Sequence, residues 1–370
     1  MNANDARVLV VNAGASALRL SVVGRGDDTL AAHAVEGWGD ERAIERAFSA
    51  LPDFDAVGHR VVHGGPHHRA PVLVDASVEA ELLDLAPLAP VHQPNAIAGI
   101  QAARRHFPSL PQVACFDSEF HATMPAAATT YAVPREWTQR WDLRRLGFHG
   151  FAHAYAARRA RELLGRTDDP DVRVVSCRLG SSGSLCATRG GRSVDTTMGW
   201  TPLDGLVMAT SPGSIDPGLV LWLLEQGGLS LAEVTTALEI DSGLAGLSGC
   251  FGGDLRAVLD ARTRGDADAE RAFAVYVHRL RRELGSMIAV LGGVDALVFC
   301  GGVGEHVPEV RAAACEPFAF AGVTLDETRN LDPEPDGDVA RAGAPVRVLV
   351  ITARDDIEIA RAVRTTLETA

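Results

Sequence analysis

The 370-residue chain has no lysine. All 35 of its basic side chains are arginine, set against 48 acidic ones, so the formal net charge is 35 − 48 = −13. The absence excludes a Walker-type phosphate lysine, a Schiff-base lysine and a lysine general base. Any bound anion must be held by arginine, histidine, backbone N–H groups or a metal. The acidic balance also argues against a nucleic-acid or anionic-membrane binder, which would carry a basic patch. At most positions the missing lysine reads as coding bias, because Ala, Gly, Asp and Val are abundant. Long apolar runs are missing as well. The longest, residues 286–304, is broken by Asp295 and several glycines, so no membrane span is expected. Nothing near Met1 resembles a signal peptide. The six cysteines show no CxxC spacing and mostly sit inside apolar runs, which points to buried free thiols in a cytoplasmic protein.

What is present is a globular composition, 46% hydrophobic and 22% charged, of a length that suggests two domains. Short Val/Leu-rich runs bounded by glycine alternate with Ala/Arg/Leu-rich helical stretches, an α/β pattern. Strands are expected over 8–11, 18–23, 56–62 and 113–116, with helices over 77–85, 96–106 and 151–164. A second set follows: strands over 172–178, 185–188, 296–299 and 346–351, and helices over 218–226, 231–238, 267–291, 308–314 and 356–367. Residues 243–253 and 332–337 read as loops. Each half opens with a strand–turn–strand unit whose tip holds only small residues, at 12–17 and at 180–184. The repeat suggests an internal duplication. Tips of this kind, and the Gly301-Gly302-Val303-Gly304 turn leaving a strand, let backbone N–H groups approach a phosphate without side-chain obstruction.

The motifs then become specific. In order they are NAG at 12–14, GHRVVHGG at 58–65, FDSEFHATMP at 116–125, RLGFHG at 145–150 and SVDTTMG at 193–199. TPL at 201–203, IDPG at 215–218, GLSG at 246–249 and GGVGE at 301–305 follow. Together they resemble the acetate kinase family, the short-chain carboxylate kinases of the sugar-kinase and actin-like superfold, along nearly the whole chain. The resemblance implies a duplicated two-domain α/β fold of ribonuclease H-like type around a central cleft. The first, carboxylate-side domain would take residues 1–117 plus 356–370, and the nucleotide-binding domain residues 118–355. It implies reversible phosphoryl transfer between ATP and acetate to give acetyl phosphate and ADP, with Mg²⁺ or Mn²⁺, in a homodimer. Propionate or butyrate is the alternative acid. A non-catalytic paralogue that binds nucleotide or a partner is the reading of another class.

By the resemblance, Arg60 holds the substrate carboxylate, and a guanidinium suits that planar anion because it can bind both oxygens. Asp117 matches the catalytic aspartate and His149 a histidine that stabilises the transition state. His92 matches a further cleft histidine, and His153 reads as structural support. Asn12 and Asp355 match the metal-site positions, Asp356 being the alternative to the latter. Arg19, Arg178, Leu179, Gly180, Ser181, Ser182, Asp254, Leu255, Arg256 and the turn Gly302, Val303, Gly304, Glu305, His306 match nucleotide-side positions.

Several departures fall on chemistry. Ala15 and Ala17 replace serines, and Arg19 replaces a lysine. Arg178 replaces a histidine, Ser181 and Ser182 replace an asparagine–glycine pair, and His306 stands for an asparagine. Ser211 stands where the family has its second catalytic arginine. Charge clamps of that type contribute on the order of 10³–10⁵ in rate, so a lowered turnover is expected unless Arg178 supplies the missing charge.

Overall fold

In a computed structural model, residues 5–14, 17–36, 41–89 and 92–369 are described. The chain forms two six-stranded mixed sheets. The first contains β1 (Val8–Ala13), β2 (Ala17–Val23), β3 (Thr29–Glu36), β4 (Ala56–Val61), β5 (Val72–Leu73) and β6 (Gln112–Phe116), in the order β3-β2-β1-β4-β6-β5. The second contains β7 (Arg173–Leu179), β8 (Gly183–Arg189), β9 (Arg192–Thr196), β10 (Ala296–Cys300), β11 (Gly337–Asp338) and β12 (Arg347–Val350), in the order β9-β8-β7-β10-β12-β11. The two orders are one permutation used twice. In both, an antiparallel meander is followed by two parallel strands and a short antiparallel edge. The expected duplication is thus present at the level of topology.

Local sequence explains the central strands. VLVV in β1, VACF in β6 and ALVFC in β10 are continuous apolar runs, buried on both faces as parallel strands covered by helices must be. The helix Ala267–Leu291 starts on an Asp266 cap, whose carboxylate accepts from the Asp268 and Ala269 N–H groups, and ends at left-handed Gly292. It lays Phe273, Tyr276, Leu280, Leu284 and Met287 into the core of the second sheet.

The first sheet is completed from the far end of the sequence. The closing helix, Asp355–Thr369, packs on β1, β2, β4 and β6, burying Ile359, Ala360 and Val363 against Val8, Val10, Val113 and Cys115. Gly58 in β4 permits this approach, because a Cβ there would lie 2.7 Å from Val363 Cγ2 and 2.9 Å from Ile359 Cγ2. The helix Gly150–Leu163 packs against the closing helix and against β7 and β10, joining the two halves.

Some elements differ from the expectation. β3 is a strand although its sequence, TLAAHAVE, shows no alternation, because it is a mostly exposed edge with no buried face to impose one. Residues 243–253, expected as a loop, contain the helix Gly243–Ser248, and the unexpected helix Leu255–Thr263 follows at the Asp254 cap. The six thiols are free, five of them buried and Cys250 partly so. No helix among the described residues is long and apolar enough to cross a membrane.

Candidate active site

Parallel strands end together, so residues at their carboxyl ends converge on one crevice. Asn12 stands near the end of β1, Arg60 near the end of β4, and Asp117 just past β6. Arg60 Nε donates to Asp117 Oδ1 at 2.9 Å and Nη2 to Asp117 Oδ2 at 2.5 Å, while Nη1 donates to Asn12 Oδ1 at 3.3 Å. Asp117 is buried, and its own N–H donates to the Val61 carbonyl. Side-on pairing through Nε leaves one free N–H on each Nη of Arg60, a second pair of donors at the far end of the guanidinium.

Asp355, the first residue of the closing helix, enters the same crevice. Burial pushes its carboxyl above the usual range, against the pull of Arg60 and Arg178. Its Oδ1 is buried with no hydrogen-bond partner among the described residues. Neighbouring Asp356 is already spent, accepting from Arg354 Nε at 3.0 Å and Nη2 at 3.1 Å. His92, partly buried at the start of the helix Gln93–His106, lies in the field of Arg60 and Asp117, and burial lowers its pKa. Exposed Arg19 lines a cavity of about 430 Å³ together with Asn12, His33, Asp355 and Asp356.

His149 approaches from the other half. It caps the helix Gly150–Leu163 with φ +57°, a left-handed conformation that non-glycine residues adopt at a cost. Two contacts hold it there. Gly150 N–H donates to the Asp117 carbonyl at 2.8 Å, and His121 Nε2 lies 3.0 Å from the Phe148 carbonyl. Since that oxygen can only accept, His121 carries its proton on Nε2. Both nitrogens of His149 meet serines: Nδ1 lies 2.8 Å from Ser184 Oγ and Nε2 lies 3.1 Å from Ser182 Oγ. Burial first, then the charge of Arg178, holds the His149 pKa well below its ordinary value, so the ring is neutral.

Arg178, at the end of β7, connects the two groups. Its Nη1 donates to the Ser182 carbonyl at 3.1 Å and to Ser182 Oγ at 3.2 Å, and its charge acts on both His149 and Asp355. The two departures at 178 and 182 therefore touch each other.

Beside the hairpin tip lies a cavity of about 320 Å³. Gly180, Ser181, Asp254, Leu255, Arg256, Gly302 and Val303 line it, as the sequence suggested. The other seven expected residues, Arg19, Arg178, Leu179, Ser182, Gly304, Glu305 and His306, do not. Leu179 is a core residue. Gly304 is buried beneath the cavity wall, and Glu305 Oε1 accepts from the Gly301 and Ala353 N–H groups. His306 lines a neighbouring cavity with Arg311 and Asp332. The physical reason is that Gly301–His306 forms a helix, whose rotation turns successive residues away from one face. Ser182 also leaves the cavity wall for His149. Ser211 is not on the wall either. Its hydroxyl lies 3.5 Å from the Glu239 carbonyl and brings no charge to the crevice. Ala15 lies outside the described residues.

The sequence reading missed Ala209, Leu244, Gly252, Gly253, Tyr276 and Val307, which complete the cavity, and the serines around His149. A signal for the latter existed. Ser176 and Arg178 share one face of β7 by strand alternation, and the register sets Ser184 opposite Arg178.

Among the described residues no group of three or more His, Cys, Asp or Glu side chains stands together to hold a metal ion. An oxygen-seeking cation that keeps most of its waters needs fewer. Asp355 Oδ1, without a partner among the described residues, and Asn12 Oδ1, which accepts from Arg60 Nη1, are oxygen ligands of the right kind.

The description "Acetokinase family" is that of the family model matching residues 27–361. Acetate kinase of Synechococcus sp. is 48% identical over 323 residues, covering 86% of this chain and 79% of that one. Acetate kinase of Leifsonia xyli subsp. xyli is 41% identical, covering 96% and 97%. Among solved structures, Porphyromonas gingivalis acetate kinase superposes with a TM-score of 0.86 at 31% identity, covering 98% and 99%. A propionate kinase from Francisella tularensis subsp. tularensis gives 0.87 at 31% identity, covering 96% and 98%. A topology used twice, a crevice built at the ends of its strands and these matches together place the chain in the acetokinase family.

Proposed function

We propose that the chain transfers a phosphoryl group reversibly between ATP and a short-chain carboxylate, acetate first, giving acyl phosphate and ADP. The observation that carries this reading is the state of Arg60. Asp117 holds it side-on and Asn12 takes one Nη1 hydrogen, which leaves one N–H on each Nη, the two donors that a carboxylate's two oxygens require. The acceptor is already ionised at neutral pH, so no general base is required. One carboxylate oxygen attacks the γ-phosphorus while the bond to the ADP oxygen breaks, and no proton is transferred. Catalysis then reduces to positioning and charge neutralisation.

In this reading Arg60 orients the acceptor and Asp117 fixes Arg60. His149 and Arg178 face the transferring group, and the nucleotide occupies the cavity lined by Gly180, Asp254 and Gly302. His92 completes the acyl side, and Arg19 meets phosphate at the first hairpin. Asn12 and Asp355 would hold Mg²⁺, which neutralises phosphate charge when bound. The pairing of Asp356 with Arg354 favours Asp355 for that role. We assign residues 1–117 with 356–370 to the carboxylate side and 118–355 to the nucleotide side. A homodimer is supported by Leu219, Leu221 and Trp222, all exposed on the helix Pro217–Glu225. We read the location as cytoplasmic, consistent with buried free thiols.

Ser211 gives a second reading its footing, a paralogue that binds nucleotide without turnover. Acyl hydroxamate formation from ATP, Mg²⁺ and a panel from acetate to butyrate separates the two, with calorimetry for MgATP binding beside it. We expect product from the wild type and its loss in Arg178→Ala. Binding without product supports the second reading. Equal activity in Arg178→Ala, or an inert wild type revived by Ser211→Arg, ends the case for Arg178 as the replacement charge.

A further inference from the structure

Behind His149 runs a chain of hydrogen bonds that the phosphoryl-transfer reading does not use. Ser184 Oγ lies 2.8 Å from His149 Nδ1 and 2.8 Å from His153 Nε2. The other nitrogen of His153, Nδ1, lies 2.7 Å from Ser176 Oγ, which in turn reaches the Cys186 carbonyl at 3.5 Å. At the crevice end, Ser182 Oγ stands between His149 Nε2 and the guanidinium of Arg178. Ser176, Ser184 and His153 are completely buried, so no water substitutes for a missing link.

Elementary counting restricts this chain. Burial holds His153, like His149, far below its ordinary pKa, so each ring is neutral and carries one N–H. Ser184 has one proton to donate and touches one nitrogen of each ring. If it accepts from His149 Nδ1–H and donates to His153 Nε2, its one proton is used and His153 carries its own on Nδ1. If it donates to His149 Nδ1, it accepts from His153 Nε2–H. The mixed arrangements cost more: facing two ring N–H groups the hydroxyl accepts both but its own buried proton has no acceptor among the described residues, and facing two bare nitrogens it leaves one of them without a donor.

We propose that Ser184 locks His149 and His153 into the same tautomer, making His153 and Ser176 positioning residues that decide whether His149 offers the crevice a lone pair or an N–H at Nε2. With the crevice open, the arrangement with both protons on Nδ1 satisfies every hydroxyl. Ser182 donates to His149 Nε2, Ser184 to His153 Nε2 and Ser176 to the Cys186 carbonyl. The reverse arrangement frees the Ser182 proton toward the crevice and turns His149 Nε2–H outward. A phosphate oxygen at the hairpin tip accepts from Ser182 and so favours that reversal. Both arrangements hold one proton on each ring and each hydroxyl, so no proton is gained or lost. The inference rests on His149 facing the reacting group, but the coupling itself is read without turnover.

The experiment is nitrogen NMR of the full chain labelled with ¹⁵N-histidine, with ring resonances assigned through the backbone. Protonated and bare ring nitrogens resonate in well-separated regions, so each tautomer is read directly. The unliganded wild type is expected to show protonated Nδ1 in both rings, and MgATP is expected to move both to Nε2–H together. Ser176→Ala removes the acceptor of His153 Nδ1–H and should shift both rings to Nε2–H without nucleotide. In that variant kcat should change by about tenfold with KM unmoved. Unlike tautomers in the unliganded wild type overturn the proposal, as does any change confined to one ring. The wild-type spectrum decides even if a variant fails to fold. Failure to bind MgATP, with like tautomers present, counts against the functional reading alone.

Discussion

At the scale of single residues, Arg60 is the hub of the crevice, bound to Asp117 along one edge and to Asn12 through Nη1. Arg60, Asp117 and Asn12 were expected to share a site, and they meet within hydrogen-bond distance. What the sequence withheld was how each side chain is employed. Arg178 and Ser182 looked like separate departures, yet one guanidinium nitrogen contacts both oxygens of Ser182. Strand register and turn geometry decide such pairings, and neither is written in a single residue. Arg60 supports a sharp prediction. Lysine would keep the charge but lose the fork that grips Asp117 on one edge and, in the proposed function, the acceptor on the other. Arg60→Lys is expected to lower kcat/KM for the carboxylate by roughly 10²–10³-fold, a loss of about 3–4 kcal/mol. Calorimetry should find MgATP affinity nearly unchanged, because the cavity proposed for the nucleotide is lined by other residues. Parallel loss of both affinities would show that Arg60 only holds the crevice together.

At the scale of elements, regular periodicity was decisive. The helix Ala267–Leu291 matches its expected span because its cap, apolar stripe and terminal glycine agree. β3 and the turn at 301–306 resisted reading, the one because exposed edges carry no pattern, the other because a glycine-rich stretch is compatible with both turn and helix. The RLGFHG segment shows how tightly an element junction is built. A Cβ at Gly150 would lie 2.2 Å from the Asp117 carbonyl oxygen, a backbone atom that cannot step aside alone. Gly150→Ala is therefore expected to cost roughly 1–3 kcal/mol and to break the bond that ties the His149 helix to Asp117. Thermal melting should fall by several degrees, and kcat should drop more than tenfold as His149 and Asp117 separate. An unchanged melting temperature would mean that the helix start slides freely over β6.

At the scale of the whole molecule, buried ionisable groups set opposing responses to pH. Burial lowers His59, His63 and His121 to about 4. A base depressed in the folded state stabilises the fold above its unfolded pKa of 6.5 and loses that contribution as pH falls toward 4. Glu119 runs the other way. Burial pushes its carboxyl up to about 8, with Asp117 and Glu358 adding to the rise, while the Phe116 N–H it accepts opposes it. The folded state therefore holds a proton that the unfolded state releases, and stability falls as pH rises from 4.5 to 8. Above pH 6.5 the histidines no longer contribute a slope, and Glu119 does. Denaturation midpoints of the wild type should decline between pH 6.5 and 8.5 by the equivalent of a few kcal/mol, and Glu119→Gln should remove most of that decline. Equal slopes in the two proteins would place the ionisation elsewhere. None of this was legible in advance, since burial belongs to the assembled molecule and Glu119 sits in an ordinary FDSEFH string.

The closing helix has a consequence for how the chain leaves the ribosome. β6 ends at Phe116 and the helix that covers its sheet starts at Asp355, an interval of 355 − 116 = 239 residues. At roughly 5–20 residues per second, the apolar face of the first sheet waits on the order of 10–50 s for its cover. During that time β1, β4 and β6 present Val8, Val10, Val113 and Cys115 to whatever else is nearby. Asp355 arrives in the same stroke as Ile359 and Val363, so the nascent protein cannot assemble its crevice before that face is shielded.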